Sequence, residues 1–472
     1  MQVSRSKHER VFCGRRRPQF DEPVTRGEND DAVLALISVV FALLQPPVVD
    51  SPPPTDDDEP AVSPLLPSKE LERMRPRPLG QGGAVWKPGS GLKVESDDGM
   101  FALAFRLRVQ LRYELQRDHD GNQTSNAFSV RRARLQFKGH LFGKHNKYYL
   151  QVAISPNDMG WTADGPSFTP IRNWELSFDY LRDLTVTVGQ MKVNYNRQRV
   201  ISSGDLQMPD RSTVNNEFTL DRDIGLKLHS EDLGGIGYLR YSLGIFNGEG
   251  RDSYRVDDMG MLYVARVEVI PTGDAGDWTE DEVGWERSLR PSLAIAGAYA
   301  FHDRAKRDRG SLGSRPLDEG TTDFHQAQAD LMFKYAGLSL TSEFHWRKGI
   351  REFGDATVID DMGVEGPAPR VPARNGLGYF VQAGFLIPRI PLELTGRWGQ
   401  IINLGDAGQT SLPDSEEAGG GVSWYFARHS LKLQADYFRL RSDRFDVDTL
   451  SFAREPWSRS VDQFRLQLQL AF

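Results

Sequence analysis

The sequence predicts an all-β fold, a transmembrane antiparallel β-barrel of about sixteen strands, on three observations. Apolar and polar side chains alternate with period two over most of the chain, the polar positions of the first strands are cationic, and the last strand ends on an aromatic residue. The clearest stretch is Phe101 to Gln116, where Phe101, Leu103, Phe105, Leu107, Val109, Leu111, Tyr113 and Leu115 alternate with Ala102, Ala104, Arg106, Arg108, Gln110, Arg112, Glu114 and Gln116. Successive strand side chains point to opposite faces, so one face is continuously apolar and the other wet and basic. A helix would scatter the same arginines around its circumference. A soluble sandwich gives a basic face no purpose, whereas a membrane barrel sets one face against lipid and the other against a water-filled lumen.

Composition is compatible with this. The 472-residue chain is 26% charged and its mean hydropathy is −0.49. That excludes a set of helical spans but not a barrel, whose strands are only half apolar. Its 45 glycines and 10% aromatics suit tight turns and interfacial girdles. The one cysteine, Cys13, excludes a disulfide framework or a cysteine-based zinc site. A formal charge of −7 makes the whole chain no polyanion binder, so the location of charge matters more than its sum.

Residues 1–44 form an N-terminal extension that holds the apolar run Ala32 to Leu44, of signal-peptide length and too short to span a membrane as a helix. Acidic residues precede this run and no clean cleavage site follows it. Residues 45–83 are a linker whose prolines and Asp56, Asp57 and Asp58 cannot build a core, and a disordered segment is expected. The barrel is expected over 84–472.

The second strand sets Ala133, Leu135 and Phe137 outward against Arg132, Arg134, Gln136 and Lys138. KYYLQVAIS, NWELSFDY, LTVTVGQMK, IGLKLH, GYLRYSLGIF and LYVARVEV follow, with Lys227, Arg240, Arg266 and Glu268 on polar faces. The second half continues from SLAIAGAYAF to LKLQADYF. The final strand sets Phe464, Leu466, Leu468, Leu470 and Phe472 against Arg465, Gln467 and Gln469. A closed barrel requires this strand to pair with the first, leaving no free edge. Long loops are expected at 117–127, 157–171, 190–223, 247–261, 303–322, 348–377, 403–418 and 440–462, with short returns between them.

The stretch VGQMKVNYNRQRVISSGDLQMPDRSTVNNEF, then DRDIGLKLH and LRYSLGIFNGEGR, together with the earlier RRARLQF, resembles the phosphate-selective porin family (porins O and P). The resemblance covers about 90–472 and implies a sixteen-stranded barrel of the bacterial outer membrane, usually trimeric, that passes phosphate or other small anions. It also implies an arginine ladder along the pore and lysines on an inward-folded loop. Arg131 and Arg132 match the family's arginine doublet, and Arg106, Arg108 and Lys192 are proposed by motif position. The Pro/Asp-rich linker departs from the family, many of whose members carry a short coiled coil there.

Arg112, Arg134, Lys138, Lys227 and Arg240 join the expected anion path from their polar-face positions, and Arg197 and Arg199 from the basic start of the 192–222 segment, which is read as folding inward. Guanidinium groups stay charged and offer forked donors to oxyanions. Spreading them over several weak sites lets an ion both enter and leave. The competing structural reading is that these arginines pair with lumen carboxylates such as Glu175, Asp179 and Glu268 and stiffen the wall. The acidic stretch Gly273 to Glu282 reads as a solvated loop, since its spacing lacks the regularity of a calcium loop.

No catalytic residues, metal ligands or cofactors are expected: there is no HExxH spacing, nucleophile elbow or P-loop. The expected partners are phosphate or other small anions, outer-membrane lipid and lipopolysaccharide, and two further copies of the chain, with no nucleic acid. Three other functions stay open at this point. They are a general diffusion porin of low selectivity, an outer-membrane hydrolase, and a structural barrel.

Overall fold

The computed structural model describes residues 83–472, apart from 88, 90, 160, 163–164, 167–168, 254–259, 274–278, 281–288, 360–362, 407, 448 and 454–456. The expected extension and nearly all of the linker lie outside the described residues. After a short hairpin, β1 (Ala84–Lys87) and β2 (Gly91–Glu95), come β3 (Ala102–Asp118), β4 (Gln123–His140), β5 (Asn146–Ala153), β6 (Ile171–Leu181), β7 (Leu184–Lys192) and β8 (Arg222–Ser230). They continue as β9 (Leu239–Phe246), β10 (Leu262–Val269), β11 (Ser292–Ala305), β12 (Thr321–Tyr335) and β13 (Leu338–Glu352). The remainder are β14 (Gly376–Leu386), β15 (Leu392–Asn403), β16 (Ser415–Ala427), β17 (Leu431–Ser442) and β18 (Arg459–Ala471). Each of β3 to β18 pairs antiparallel with the next, and β18 returns to β3 from Val461↔Asp118 to Ala471↔Arg108, closing sixteen strands.

The alternation read from the sequence is the alternation of the wall. On β18, Leu466, Leu468 and Leu470, like Phe472 just after it, are exposed on the outer face while Arg465, Gln467 and Gln469 are buried inside. The backbone of Phe472 bonds that of Leu107. Just beyond it, β2 continues along the same edge of β3, pairing Leu92 with Phe105 through to Glu95 with Ala102.

Among the register shifts of the wall, two place an arginine as the extra residue in the strands that border the first cavity. Between β3 and β4 the register passes from Gln110↔Arg132 to Leu111↔Val130, so Arg131 is the extra residue. Between β5 and β6 it passes from Gln151↔Asn173 to Val152↔Ile171, so Arg172 is the extra residue. A bulge gives two neighbouring residues one partner and re-aims a side chain. Arg131 and Arg172 both stand at outward parity in the bare pattern, where lipid would cost an arginine about 2–4 kcal/mol near mid-membrane.

Two loop expectations need correction. Residues 117–127 are not a long loop, because β3 and β4 run on to leave a turn of Glu-free polar residues between Asp118 and Gln123. The flanking stretch loses its apolar face because both faces there can be polar in a strand that rises beyond the apolar belt. Of the acidic Gly273 to Glu282 stretch, expected as a solvated loop, residues 274–278, 281 and 282 lie outside the described residues. Its Glu280 is buried and accepts hydrogen bonds from Gln198 Nε2 at 3.2 Å, the Gln207 amide at 3.0 Å and Gln382 Nε2 at 3.1 Å. Buried amides inside the barrel need an acceptor, and this carboxylate supplies it.

Candidate functional site: a basic cavity beside an inward segment

Residues 193–221, between β7 and β8, fold into the barrel and reach much of its wall. Two short helices shape the segment, α1 (Arg197–Val200) and α2 (Thr213–Phe218), the second capped by the Ser212 hydroxyl accepting from the Asn215 amide. Apolar contacts seat it. Val193, Tyr195 and Leu220 pack with Phe246, Leu262, Val264, Ala298 and Ala300, and Val214 and Phe218 with Phe380, Ile401 and Leu412. Polar contacts extend the anchorage. Lys432 Nζ donates to the Leu206 carbonyl at 2.7 Å, Gln207 Nε2 to Glu393 Oε1 at 2.7 Å, and Arg108 to the hydroxyls of Ser202 and Ser203 at 2.9 Å each.

On one side of this segment the arginines are matched by carboxylates. Arg197 donates to Asp330 at 2.7 Å and Glu268 at 2.9 Å, and Arg266 to Asp330 at 2.6 Å. Arg347 pairs with Glu217, Arg465 with Asp436 at 2.7 Å, and Arg397 with Glu417 at 3.2 Å.

Along β4 to β10 three cavities share walls, the last of them bounded by the paired Arg197 and Arg266. The first, of about 190 Å³, is lined by eight cations, Arg131, Arg132, Arg134, Arg172, Lys192, Arg199, Arg211 and Arg222, and by the single carboxylate Asp158. The second, about 260 Å³, shares Arg134, Lys192, Ser203 and Arg222 with it and adds Lys227, Tyr149, Glu175 and Glu231. The third, about 360 Å³, shares Asn194, Val200, Ser202 and Glu231 with the second, and balances Arg197, Arg240 and Arg266 against Asp205, Glu231 and Glu268. The row thus begins strongly basic and ends with charges of both signs towards the short-turn end, where Glu231 lies.

Partners around the first cavity leave its charge only partly compensated: Asp210 pairs Arg131 and Arg132, Asp158 pairs Arg134 and Arg172, and Asp221 pairs Arg199 and Arg222, three carboxylates for eight cations. Lys192 Nζ donates to carbonyls, Val200 at 2.7 Å and Ile201 at 3.3 Å, and Arg211 to those of Gln198 at 2.6 Å and Ile201 at 2.7 Å. A carbonyl satisfies a donor without neutralising it. Burial and the adjacent Arg199 push the Arg211 guanidinium down to about 9. Asp158 bonds Arg134 (2.6 Å at Nη2), and although burial raises its carboxyl, Arg134 and then Arg172 hold it below its ordinary value. Burial likewise raises Asp221, and Arg199 and Arg222 hold it well below the ordinary value.

The structure disperses the twelve sequence-derived residues. Arg131, Arg132, Arg134, Lys192 and Arg199 line the first cavity, Lys227 the second, and Arg197 and Arg240 the third. Arg108 and Arg112 hold the inward segment, Arg106 is half-buried on β3, and Lys138 is exposed on β4. Arg172, Arg211 and Arg222 of the first cavity were not among the twelve. Arg172 was hidden by the bulge, and its one visible signal is an arginine at lipid-facing parity. Among the described residues no cluster of side chains suits a metal ion.

Residues 103–472 match the family described as phosphate-selective porin O and P. The fold is similar to the anion-selective porin from Comamonas acidovorans, with a TM-score of 0.50 at 12% identity over 79% of this chain and 100% of that one. It also matches the outer membrane channel DcaP of Acinetobacter baumannii, with a TM-score of 0.48 at 12% identity over 80% and 99%. No individually curated protein matches the chain.

Proposed function

We propose that this chain, which belongs to the phosphate-selective porin O and P family and is an outer-membrane channel, conducts small oxyanions such as phosphate in preference to cations. The observation that carries the reading is the first cavity, whose eight cations outnumber the three carboxylates that pair with them, Asp158, Asp210 and Asp221. A low-dielectric wall focuses the field of such a cluster, so the local potential is positive although the chain as a whole is negative. Arg106, Arg108, Arg112, Arg131, Arg132, Arg134, Lys138, Lys192, Arg197, Arg199, Lys227 and Arg240 remain the assigned path and its surroundings, with Arg172, Arg211 and Arg222 added.

An oxyanion that enters the first cavity exchanges part of its water shell for guanidinium and ammonium donors. It then passes to the second cavity, where Glu175 and Glu231 weaken the attraction. Binding that declines along the row lets the ion leave. No catalytic role, cofactor or metal is part of this reading. A homotrimer rests on the family resemblance, and so does contact with lipid and lipopolysaccharide. Export directed by the signal-peptide-like run within residues 1–44, and the division into extension, 45–83 linker and 84–472 barrel, rest on the sequence pattern.

Zero-current potentials across a planar bilayer in a KCl gradient test the function. The expected sign is that of chloride permeation, with chloride current blocked by added phosphate. A potential of the potassium sign sinks the reading, and a weak anion preference without phosphate block reduces it to a general diffusion porin.

A further inference from the structure

One carboxylate of the inward segment lies where a permeating anion would be expected. Asp210 Oδ2 accepts from Arg112 Nη1 at 2.9 Å and Arg131 Nη2 at 3.2 Å, and Oδ1 accepts from Arg132 Nη2 at 3.0 Å. Three guanidiniums around one carboxylate leave positive charge in excess. Arg131 and Arg132 also line the basic cavity, and the Arg131 side chain is 34% exposed. The cage and the cavity therefore draw on the same two donors.

We propose that Arg112, Arg131 and Arg132 form a second oxyanion site, that Asp210 occupies it as a tethered competitor, and that a doubly charged oxyanion in the adjoining cavity exchanges with Asp210 across Arg131 and Arg132. The proposal rests on the anion-channel reading and adds a control on how tightly the anion is held. A carboxylate carries one charge on two oxygens, whereas a phosphate dianion offers more charge and acceptors in three directions, which suits three forks better. Burial raises Asp210, but Arg132, Arg112 and Arg131 together hold it well below its ordinary value, so it stays ionised and competes at neutral pH.

The competitor serves conduction. Left empty, three arginines beside the path would trap a dianion, and a channel needs sites that release. The segment does not depend on this carboxylate alone, because Arg112 Nη2 also bonds the Pro209 carbonyl at 2.7 Å and Arg397 Nη1 the Asp210 carbonyl at 3.1 Å.

The test is Asp210→Asn in the full chain, with inorganic phosphate titrated against chloride current. Removing the competitor is expected to lower the half-blocking phosphate concentration by about tenfold, the effect of one charge-assisted contact, while phosphate throughput falls and Asp210→Glu restores wild-type values. Block that is unchanged or weaker in Asp210→Asn overturns the proposal while leaving the channel reading intact. A wild-type channel without anion preference overturns the channel reading itself, and this proposal with it. Should Asp210→Asn fail to fold, hydrogen exchange of wild-type amides at 210–212 decides: saturating phosphate is expected to accelerate it, and no acceleration overturns the proposal.

Discussion

The two sides of the inward segment use the same residue types in opposite ways. Towards β10, β12, β13 and β15 to β18, Arg197, Arg266, Arg347, Arg397 and Arg465 each meet a carboxylate. Towards β4 to β8, the donors of Lys192 and Arg211 end on backbone carbonyls, and the other six cations of the cavity share three carboxylates, Asp158, Asp210 and Asp221. The structural reading of lumen arginines describes the charge-balanced wall, and the functional one is proposed for the wall where cations outnumber carboxylates. An arginine on a polar strand face does not announce its role. Its partner does.

The matched side should show the largest effect on stability. Asp330 holds both Arg197 and Arg266, so Asp330→Asn leaves two buried guanidiniums short of their counter-charge. Breaking a buried pair costs about 3–5 kcal/mol. We expect thermal unfolding at lower temperature and a noisier, larger chloride conductance as the segment loosens. Quiet channels of wild-type size would show that this side does not hold the segment.

The unmatched side should do the reverse. Arg172→Gln removes a cavity charge from a bulge, and we expect the half-blocking phosphate concentration to rise about tenfold with a smaller fall in unfolding temperature than Asp330→Asn, because Asp158 keeps its bonds to Arg134. Lys192→Glu should weaken block further, since it reverses a charge. It also removes the bonds to Val200 and Ile201, so some loss of stability is expected with it. Equal effects of Arg172→Gln and Asp330→Asn on both readouts would erase the distinction between the two sides.

Acid should separate them more gently. The Asp210 carboxyl is depressed in the folded chain, below an unfolded value near 3.9, about the ordinary aspartate figure. Its contribution is therefore complete above that value and is lost as pH falls through the folded pKa. Sulfate, which stays a dianion at both, should block equally at pH 7 and pH 5, and the segment should loosen only below about pH 4. Loosening already at pH 5 would mean that Asp210 is not held by its arginines. Lys138→Gln should have the smallest effect of all, no change in block or stability, because Lys138 is exposed and outside the three cavities.

Much of the fold is legible in the sequence because period two leaves little freedom. Once Leu466, Leu468 and Phe472 face out, Arg465 and Gln467 must face in. The site is less legible, for two physical reasons. Bulges change parity without changing composition, so Arg131 could be placed only by resemblance and Arg172 not at all. The partners are also distant in sequence. Nothing local indicates that Arg197 meets Asp330 while Lys192 meets carbonyls, because the inward path of 193–221 decides both. Glu280 is the same case from the opposite end of the barrel, an acid in a polar stretch that acquires its role only by meeting Gln198, Gln207 and Gln382.

The central claim is that the cationic excess of the first cavity sets selectivity and the charge-balanced arginines do not. The most direct measurement is the zero-current potential in a KCl gradient for Arg131→Gln/Arg172→Gln, set beside wild type. Both substitutions take charge from the first cavity at its bulges, away from the paired wall. The account predicts a potential displaced towards zero from a chloride-selective wild type. A double variant that keeps the wild-type potential would contradict it.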